Sequence, residues 1–176
     1  FPVATFNTDA AASGRLFYIG EDSYASGYLG AGLLAKFTGG VGKLAVYGSF
    51  TTSESWKDRL SGFCSVFEKE YPDVELVPVF KYSESIADSK ETVKKLVERY
   101  PDLIGLFPTN STTTRGTLLA LEELNRHDIH VVGYDLSPES RKGLMNSRCD
   151  AILYKNPYLQ GYLAVKLMAK YLLYGS

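Results

Sequence analysis

The chain has 176 residues, of which 45% are hydrophobic and 22% are charged, a balance typical of a folded protein and not of a disordered one. The formal net charge of −1 excludes the strongly basic surface that direct binding of nucleic acid would require. No apolar run approaches the roughly 18 residues that a membrane span needs, so we expect no membrane contact.

Short β-rich runs alternate with helical patterns along the chain. The predicted strands are VATF (3–6), LFYIG (16–20), KLAVYG (43–48), VELVPVF (74–80), LIGLF (103–107), HVVGYD (130–135) and AILY (151–154). The predicted helices are residues 24–37, 55–71, 86–100, 112–126, 138–146 and 157–174. Continuous apolar strands indicate burial on both faces, and strand–helix–strand spacing indicates crossovers between parallel strands. The sequence therefore predicts a doubly wound α/β fold with a parallel sheet.

Local signals predict where several helices begin. Ser53 or Ser55 is a suitable N-cap for the helix at 55–71. Ser137 and Asn156 are good N-cap residues, because each stands directly before a proline that can occupy the first helical position.

Motifs that would indicate an enzyme lack the required context. TGGVGKLAVYG (38–48) is no phosphate-binding loop, because the strand follows the glycines and Leu44 stands where Ser or Thr is needed. No serine or cysteine has an apparent histidine partner, and no glycine-rich dinucleotide loop follows a strand. His127 and His130 flank a turn and are interpreted as solvated loop residues, not as a metal site. We predict no enzymatic activity, no cofactor and no metal.

The two cysteines, Cys64 and Cys149, lie in or beside predicted helices and far apart in the sequence. Such cysteines are more often buried thiols than a disulfide or a metal site. Free thiols favour a reducing compartment, and we therefore expect a cytoplasmic location.

Polar residues stand at or soon after the ends of six predicted strands, where parallel sheets present their ligand-binding edge. They are Asn7, Asp22, Arg59, Asn110, Asp135 and Lys155. Any one of them alone is more simply a helix cap or turn residue, but the set brings donors and acceptors to one edge. Carboxylates accept hydroxyl hydrogens, amides donate and accept, and guanidinium groups donate in a fork. The set predicts a small polyhydroxylated ligand, a sugar.

A sugar site also needs an aromatic wall. Trp56 and Phe50, in or beside GSFTTSESWKDR (48–59), and Tyr82 are the candidates. Each of these aromatic side chains is an equally good candidate for ordinary packing.

Five segments, taken in order, resemble the periplasmic sugar-binding-protein-like family. They are FPVATFNTDA…LFYIGEDSYASGYLGAGLLAK (1–36), GS…SWKDRLSGF (48–63), LIGLFPTNSTTTRGTLLALEEL (103–124), VVGYDLSPESRKGL (131–144) and DAILYKNPYLQGYLAVKLMAKYLLYG (150–175). The family includes ribose-type periplasmic binding proteins and the effector domains of LacI-type transcriptional regulators. The resemblance covers the whole chain but only the second half of the family's usual length.

The resemblance implies part of a type I periplasmic-binding-protein-like clamshell. Residues 22–155 would be the carboxyl-terminal, effector-binding subdomain, and residues 1–21 and 156–176 would be remnant strands and a remnant helix of the other subdomain. We expect the chain to be a piece of a longer protein, since Phe1 is not a natural start.

The resemblance also implies ligand contacts by position. They fall at Asn7, Arg59, Asn110, Asp135 and Lys155. Asn7 and Thr8 stand where ribose binders carry an acidic–basic pair, and Lys155 stands where they carry an amide. A carboxylated or phosphorylated sugar is therefore a better expectation than ribose.

The segment NPYLQGYLAVKLMAKYLL (156–173) resembles the regulator branch more than the transport receptors. The main hypothesis is thus the sugar-sensing effector domain of a dimeric, cytoplasmic LacI-type transcription regulator. Its ligand would bind in the cleft between subdomains and modulate DNA binding by a helix-turn-helix domain outside this chain. The alternatives are the substrate-binding protein of an ABC sugar transporter, which a signal peptide would select, and an α/β enzyme.

Overall fold

A computed structural model describes residues 1–48, 54–77 and 85–175. The strands are β1 (Thr5–Phe6), β2 (Tyr18–Ile19), β3 (Gly42–Tyr47), β4 (Val74–Leu76), β5 (Leu103–Pro108), β6 (His130–Tyr134) and β7 (Ala151–Leu153). The helices are α1 (Ser23–Thr38), α2 (Glu54–Glu70), α3 (Ile86–Arg99), α4 (Ser111–Glu123), α5 (Pro138–Met145) and α6 (Pro157–Tyr174). A short 3-10 helix at Ala11–Ser13 was not predicted.

The chain divides into two compact units. The smaller unit comprises Phe1–Asp22 and Lys155–Ser176, and the larger unit comprises Ser23–Tyr154. In the smaller unit, β1 and β2 form a parallel pair, and α6 packs against both strands. β1 and β2 are shorter than predicted, because only the pairs Thr5–Tyr18 and Phe6–Ile19 are in register. The assignment of these units to the halves of a clamshell stays a prediction.

The described part of the larger unit contains a parallel sheet with the strand order β4-β3-β5-β6-β7. From β3, the crossover through α2 leads to β4 on one side, and the crossover through α3 returns past β3 to β5. Right-handed crossovers that run in opposite directions place their helices on opposite faces of the sheet. Accordingly, α1 packs against α2 on one face and α3 against α4 on the other. The predicted doubly wound α/β fold is confirmed.

Each face of the sheet has its own hydrophobic core, because successive strand residues point to opposite faces. In β3, Leu44 packs with α1 and α2, whereas the next residue, Ala45, packs with α3 and α4. On the α1–α2 face, the Phe63 ring stacks on the Phe107 ring with centroids 4.6 Å apart. Phe107 in turn meets the edge of the Tyr134 ring at 5.7 Å. This aromatic row runs from α2 across β5 to β6 and ends at the carboxyl edge of the sheet.

The predicted N-caps of α5 and α6 are confirmed, whereas Ser55 is not the N-cap of α2. The Ser137 and Asn156 side chains accept hydrogen bonds from the Ser140 and Leu159 amides, respectively. Ser55 lies inside α2, which begins at Glu54, and Ser53 lies outside the described residues.

Candidate functional site

The carboxyl ends of β3 and β5 form the switch point of the larger unit. These strands are neighbours, but their following connections leave in opposite directions. Such a pair opens a crevice at its carboxyl ends, which is where parallel α/β sheets bind ligands. Gly48 and Thr109 are the first residues past the two strands, and Thr109 N donates to Tyr47 O at 3.0 Å. The candidate site is therefore built around this edge.

Arg59, on α2, is buried at the switch point, with only 6% of its surface exposed. Its Nη1 donates to the carbonyl oxygen of Thr109 at 3.0 Å. Its Cζ lies 4.3 Å from the centre of the Tyr134 ring, so the cation rests over the ring's electron-rich face. The guanidinium is thereby fixed between the ends of β5 and β6.

Close packing of α1 against α2 brings Arg59 to this position. A Cβ added to Gly27 of α1 would overlap the carbonyl oxygen of Arg59. A Cβ added to Gly62 of α2 would overlap the carbonyl oxygen of Tyr24. The two glycines therefore let the helix backbones approach more closely than side chains would permit.

Trp56 lies three residues before Arg59 in the first turn of α2 and is half-buried. A Cβ added to Gly48 would lie 2.7 Å from Trp56 Nε1 and would overlap Thr109 Oγ1. Gly48 therefore allows the indole and the Thr109 hydroxyl to come together at the end of β3. Among the described residues, Thr109 Oγ1 is a buried oxygen that has no hydrogen-bond partner.

Asn110 is the N-cap of α4. Its Oδ1 accepts hydrogen bonds from Thr113 N at 2.9 Å and from Thr113 Oγ1 at 3.1 Å. In return, the backbone N–H of Asn110 donates to Thr113 Oγ1 at 3.3 Å. This is a capping box, which satisfies backbone donors at the helix start. The capping role that the sequence allowed for is real, and it occupies the amide oxygen of Asn110.

Asp135 directly follows β6 and adopts a left-handed backbone conformation with φ 62°. Its N–H donates to Leu153 O at 3.0 Å, and its carbonyl oxygen accepts from Ser140 Oγ at 3.1 Å. These bonds join the turn to β7 on one side and to the first turn of α5 on the other. Asp tolerates the left-handed region better than most residues, which suits it to this turn.

An ion pair joins the helices that follow Asn110 and Asp135, near the start of each helix. Arg115 of α4 donates to both carboxylate oxygens of Glu139 of α5, at 2.8 and 2.7 Å. The guanidinium lowers the pKa of the Glu139 carboxyl below its usual range. Such bidentate pairs fix orientation as well as distance.

The remaining predicted residues belong to the smaller unit. Asn7 follows β1 in a left-handed conformation with φ 64°, and its carbonyl oxygen accepts from the Tyr18 hydroxyl at 3.1 Å. Lys155 is half-buried, and its carbonyl oxygen accepts from Gln160 Nε2 at 2.8 Å. Asp22 is exposed at the end of the first segment of this unit.

Of the predicted residues, the structure brings Arg59 and Trp56 together at the switch point. Sequence reasoning missed Thr109 and Tyr134, which hold Arg59 in place. The sequence signal for Tyr134 was an aromatic residue at the last position of a buried strand. Phe50 and Tyr82, the other aromatic candidates, lie outside the described residues.

A separate pocket of about 560 Å³ lies between α4, α5 and the start of β6. It is lined by His127 and His130, at the end of β6 opposite Asp135. His130 Nδ1 lies 3.0 Å from Asp150 Oδ1, and the His130 side chain is half-buried, not fully solvated as predicted. His127 is exposed, as predicted. Within the described ranges, no group of three or more His, Cys, Asp or Glu side chains could hold a metal ion.

No helix in the part of the chain that the structure describes is both long and apolar enough to cross a membrane.

The sequence matches the periplasmic binding protein domain family over residues 1–175. The xylose/arabinose-binding protein XylF of Sulfolobus acidocaldarius is 26% identical over 164 residues, which cover 90% of this chain and 40% of that protein. The ribose import binding protein RbsB of Salmonella typhimurium is 23% identical over 176 residues, which cover 97% of this chain and 57% of that protein. The chain thus spans about half the length of these curated relatives.

A solved structure gives the same result for the fold. GanP, a glucose-galactose binding protein from Geobacillus stearothermophilus, matches with a TM-score of 0.90 and 27% identity. The match covers 97% of this chain and 61% of GanP. The predicted periplasmic-binding-protein-like fold is therefore confirmed, and the chain corresponds to only part of it.

The hypothesis of a LacI-type transcription regulator is wrong. These relatives are sugar-binding and import binding proteins, which favours the alternative that the sequence left open. The hypothesis depended on residues 156–173, which are the N-cap and most of α6. This helix belongs to the fold that both branches share, so its sequence pattern could not separate them. The predicted DNA contact and homodimer depended on the same hypothesis and have no support from these relatives.

The predicted cytoplasmic location is contradicted by the same relatives, which are sugar-binding and import binding proteins. Both cysteines are free; Cys149 is buried, as predicted, whereas Cys64 is only half-buried. Burial raises the pKa of the Cys149 thiol to about 12, which suppresses the thiolate that reacts with oxidants. A buried thiol can therefore persist in an oxidising compartment, and cysteine usage did not identify the location.

The relatives are binding proteins, and to that extent they agree with the prediction of no enzymatic activity. The match to the family extends over nearly the whole sequence, and the fold agrees with it. The chain belongs to the periplasmic binding protein domain family.

Proposed function

We propose that the chain is part of the substrate-binding protein of an ABC sugar importer and that the carboxyl edge of its larger sheet contributes to a sugar site. The observation that carries the proposal is the fixed position of Arg59 at the switch point. The Thr109 carbonyl and the Tyr134 ring hold this guanidinium in place before any ligand arrives. A donor held in advance loses little conformational entropy on binding.

The neighbouring groups suit sugar hydroxyls. The Asp135 carboxylate can accept two hydroxyl hydrogens, and Arg59 and Asn110 can donate to hydroxyl oxygens. Hydrogen bonds to charged groups contribute about 1.5–3 kcal/mol each. Four or five such bonds would support micromolar binding, which corresponds to about −8 kcal/mol. Trp56 would supply apolar contact with the ring face of the sugar.

The relatives support a sugar ligand and give a range for its size. Their names specify xylose or arabinose, ribose, and glucose or galactose. The position of Lys155 instead favours a sugar with a carboxylate or phosphate group. Asn7 and Lys155 are proposed as further ligand contacts, to be tested by substituting each one separately.

The test is a thermal-shift screen of the full-length protein against neutral pentoses, neutral hexoses, hexuronates and sugar phosphates. A ligand at 100 times its Kd should stabilise the protein by about 2.7 kcal/mol, which raises the Tm by several degrees. The matched variant is Asp135→Asn, which removes the charge and keeps a residue that tolerates the left-handed backbone.

Asp73→Asn is the control, because it makes the same chemical change at an exposed residue before β4, at the amino end of the sheet. We expect one sugar class to raise the Tm of the wild type and of Asp73→Asn but not of Asp135→Asn. A folded wild type that responds to no sugar would contradict the proposed function. A response that Asp135→Asn retains would remove Asp135 from the site.

A further inference from the structure

The first half of α4 is unusually rich in hydroxyl side chains. Its sequence STTTRGT (111–117) contains four threonines, although β-branched residues are not favoured in helices. Threonine hydroxyls in helices commonly bond to backbone carbonyls. Thr113 and Thr114 both donate to the carbonyl oxygen of Asn110, and Thr117 donates to that of Thr113. Thr113 closes the capping box, and Thr117 Oγ1 contacts the Tyr47 hydroxyl.

Thr114 connects two elements that carry proposed ligand-binding residues. Its side chain is fully buried. Oγ1 donates to the carbonyl oxygen of Asn110 at 2.8 Å and accepts from the N–H of Tyr134 at 2.9 Å. One hydroxyl group thus joins Asn110 to the residue that directly precedes Asp135.

The hydrogen bond between Tyr134 N and Thr114 Oγ1 lies beyond the last residues at which β5 and β6 pair. The register between β5 and β6 comprises Gly105–His130 and Leu106–Val131, whereas β6 continues to Tyr134. Beyond the paired region, the N–H of Tyr134 finds its acceptor in a side chain of α4. A Cβ added to Gly133 would lie 2.6 Å from Thr114 Cγ2, so the approach of Thr114 depends on this glycine.

We infer that Thr114 is a positioning residue that sets the distance between Asn110 and the Asp135 turn. The inference rests on the proposed function, since it assumes that these two residues bind the ligand together. The neighbouring Arg115–Glu139 ion pair has a similar effect, because it holds α4 and α5 together near their starts. Thr114 differs from that pair in that it is buried and bonds directly to both backbone segments.

The test compares three variants of the full-length protein. Thr114→Val has nearly the same shape as threonine but no hydroxyl, and Thr114→Ser keeps the hydroxyl. The control is Thr92→Val, since Thr92 is buried on the neighbouring helix α3, and its hydroxyl has no hydrogen-bond partner among the described residues. Sugar affinity is measured by calorimetry at a temperature where every variant is folded, and amide hydrogen exchange is measured without ligand.

We expect Thr114→Val to weaken binding of the best sugar from the screen about tenfold, which corresponds to about 1.4 kcal/mol. Thr114→Ser should stay within about threefold of the wild type, which corresponds to less than 1 kcal/mol, and Thr92→Val should not change affinity. A purely structural role for Thr114 would lower the Tm of Thr114→Val but leave the affinity of the folded protein unchanged. That result would overturn the inference.

Hydrogen exchange separates this inference from the proposed function. If the wild type binds no sugar, the proposed function fails. The exchange rate of the Tyr134 backbone amide then still tests whether the Thr114 hydroxyl holds Asn110 and the Asp135 turn together. Faster exchange of that amide in Thr114→Val, but not in Thr114→Ser or Thr92→Val, would support the positioning role. Unchanged exchange in Thr114→Val would overturn it.

Discussion

Arg59 lies with its guanidinium carbon 4.3 Å from the centre of the Tyr134 ring, although the two residues are on different elements and 75 positions apart. The Tyr134 hydroxyl donates to Ser26 Oγ of α1 at 2.6 Å. Arg59 and Ser26 thus hold the same ring from two helices, and the cation stays at the edge of the sheet.

Arg59→Lys should separate charge from geometry. Lysine keeps the positive charge but lacks the planar fork that bonds to Thr109 O and stacks on Tyr134. We expect a loss of about 1–2 kcal/mol in the free energy of unfolding, since a buried cation–π contact is worth about that much. We also expect weaker sugar binding. Urea denaturation and calorimetry measure the two effects.

The control for this change is Arg99→Lys. Arg99 is exposed at the end of α3, with its Cζ 5.5 Å from the centre of the Tyr100 ring. An exposed substitution of this kind should change stability by less than about 0.5 kcal/mol. Equal losses of stability in Arg59→Lys and Arg99→Lys would show that the burial of Arg59 at the switch point does not contribute to the stability of the protein.

Gly27→Ala should destabilise the larger unit, whereas Gly32→Ala on the same helix should not. The added methyl group at position 27 would collide with the Arg59 backbone, and overpacking of this kind costs about 1–3 kcal/mol. At position 32 nothing lies within 4 Å of the new Cβ, so the better helix propensity of alanine should stabilise by about 0.5–1 kcal/mol. Urea unfolding checks both, and stabilisation by Gly27→Ala would refute the close approach of α1 and α2.

Asn110→Asp should separate the capping role of Asn110 from its proposed ligand contact. Aspartate caps helices about as well as asparagine, so the free energy of unfolding should change by less than about 0.5 kcal/mol. Aspartate lacks the amide N–H₂ donor, and we expect sugar affinity to fall about tenfold, or about 1.4 kcal/mol. Calorimetry and urea denaturation give the two quantities.

Ser137 provides the comparison for that experiment, because it caps α5 with the same capping-box geometry. Ser137→Asp should preserve both stability and affinity. If Asn110→Asp binds sugar as well as the wild type, Asn110 is a cap and nothing more.

Tyr47→Phe should reveal a pH dependence of stability. The Tyr47 hydroxyl is buried among Ser89, Thr113 and Thr117, and burial raises its pKa from 10 to about 12. Above pH 10 the unfolded chain loses this proton while the folded protein keeps it, so the stability of the wild type falls between pH 10 and 12. The full effect is about 2–3 kcal/mol at 1.36 kcal/mol per pKa unit.

Phenylalanine has no such proton. At pH 7 the variant should be less stable than the wild type by about 1 kcal/mol, the usual contribution of a lost hydrogen bond. That difference should shrink as the pH rises from 9 to 11. A constant difference in urea midpoints across this range would contradict the raised pKa.

The sequence predicted the order and type of the helices and strands to within a few residues. The signals were local ones: apolar runs, hydrophobic periodicity, and prolines next to Ser137 and Asn156. It also predicted the edge of the sheet at which Arg59 and Asp135 lie, because the strand ends follow directly from the strand positions. The sequence-based choice of a regulator over a transport receptor was wrong. Both classes share one fold, and local sequence patterns indicate the fold and not the class.

The tertiary structure alone decided which groups meet at that edge. Hydrophobic periodicity acts over a few residues, whereas the contacts of Arg59 with Thr109 and Tyr134 join positions 50 and 75 residues apart. Such contacts depend on the order in which strands pack and on how closely α1 approaches α2. The sequence by itself thus determined the parallel α/β framework and its polar edge, and packing decided that Arg59 is buried there and that Thr114 joins Asn110 to Tyr134.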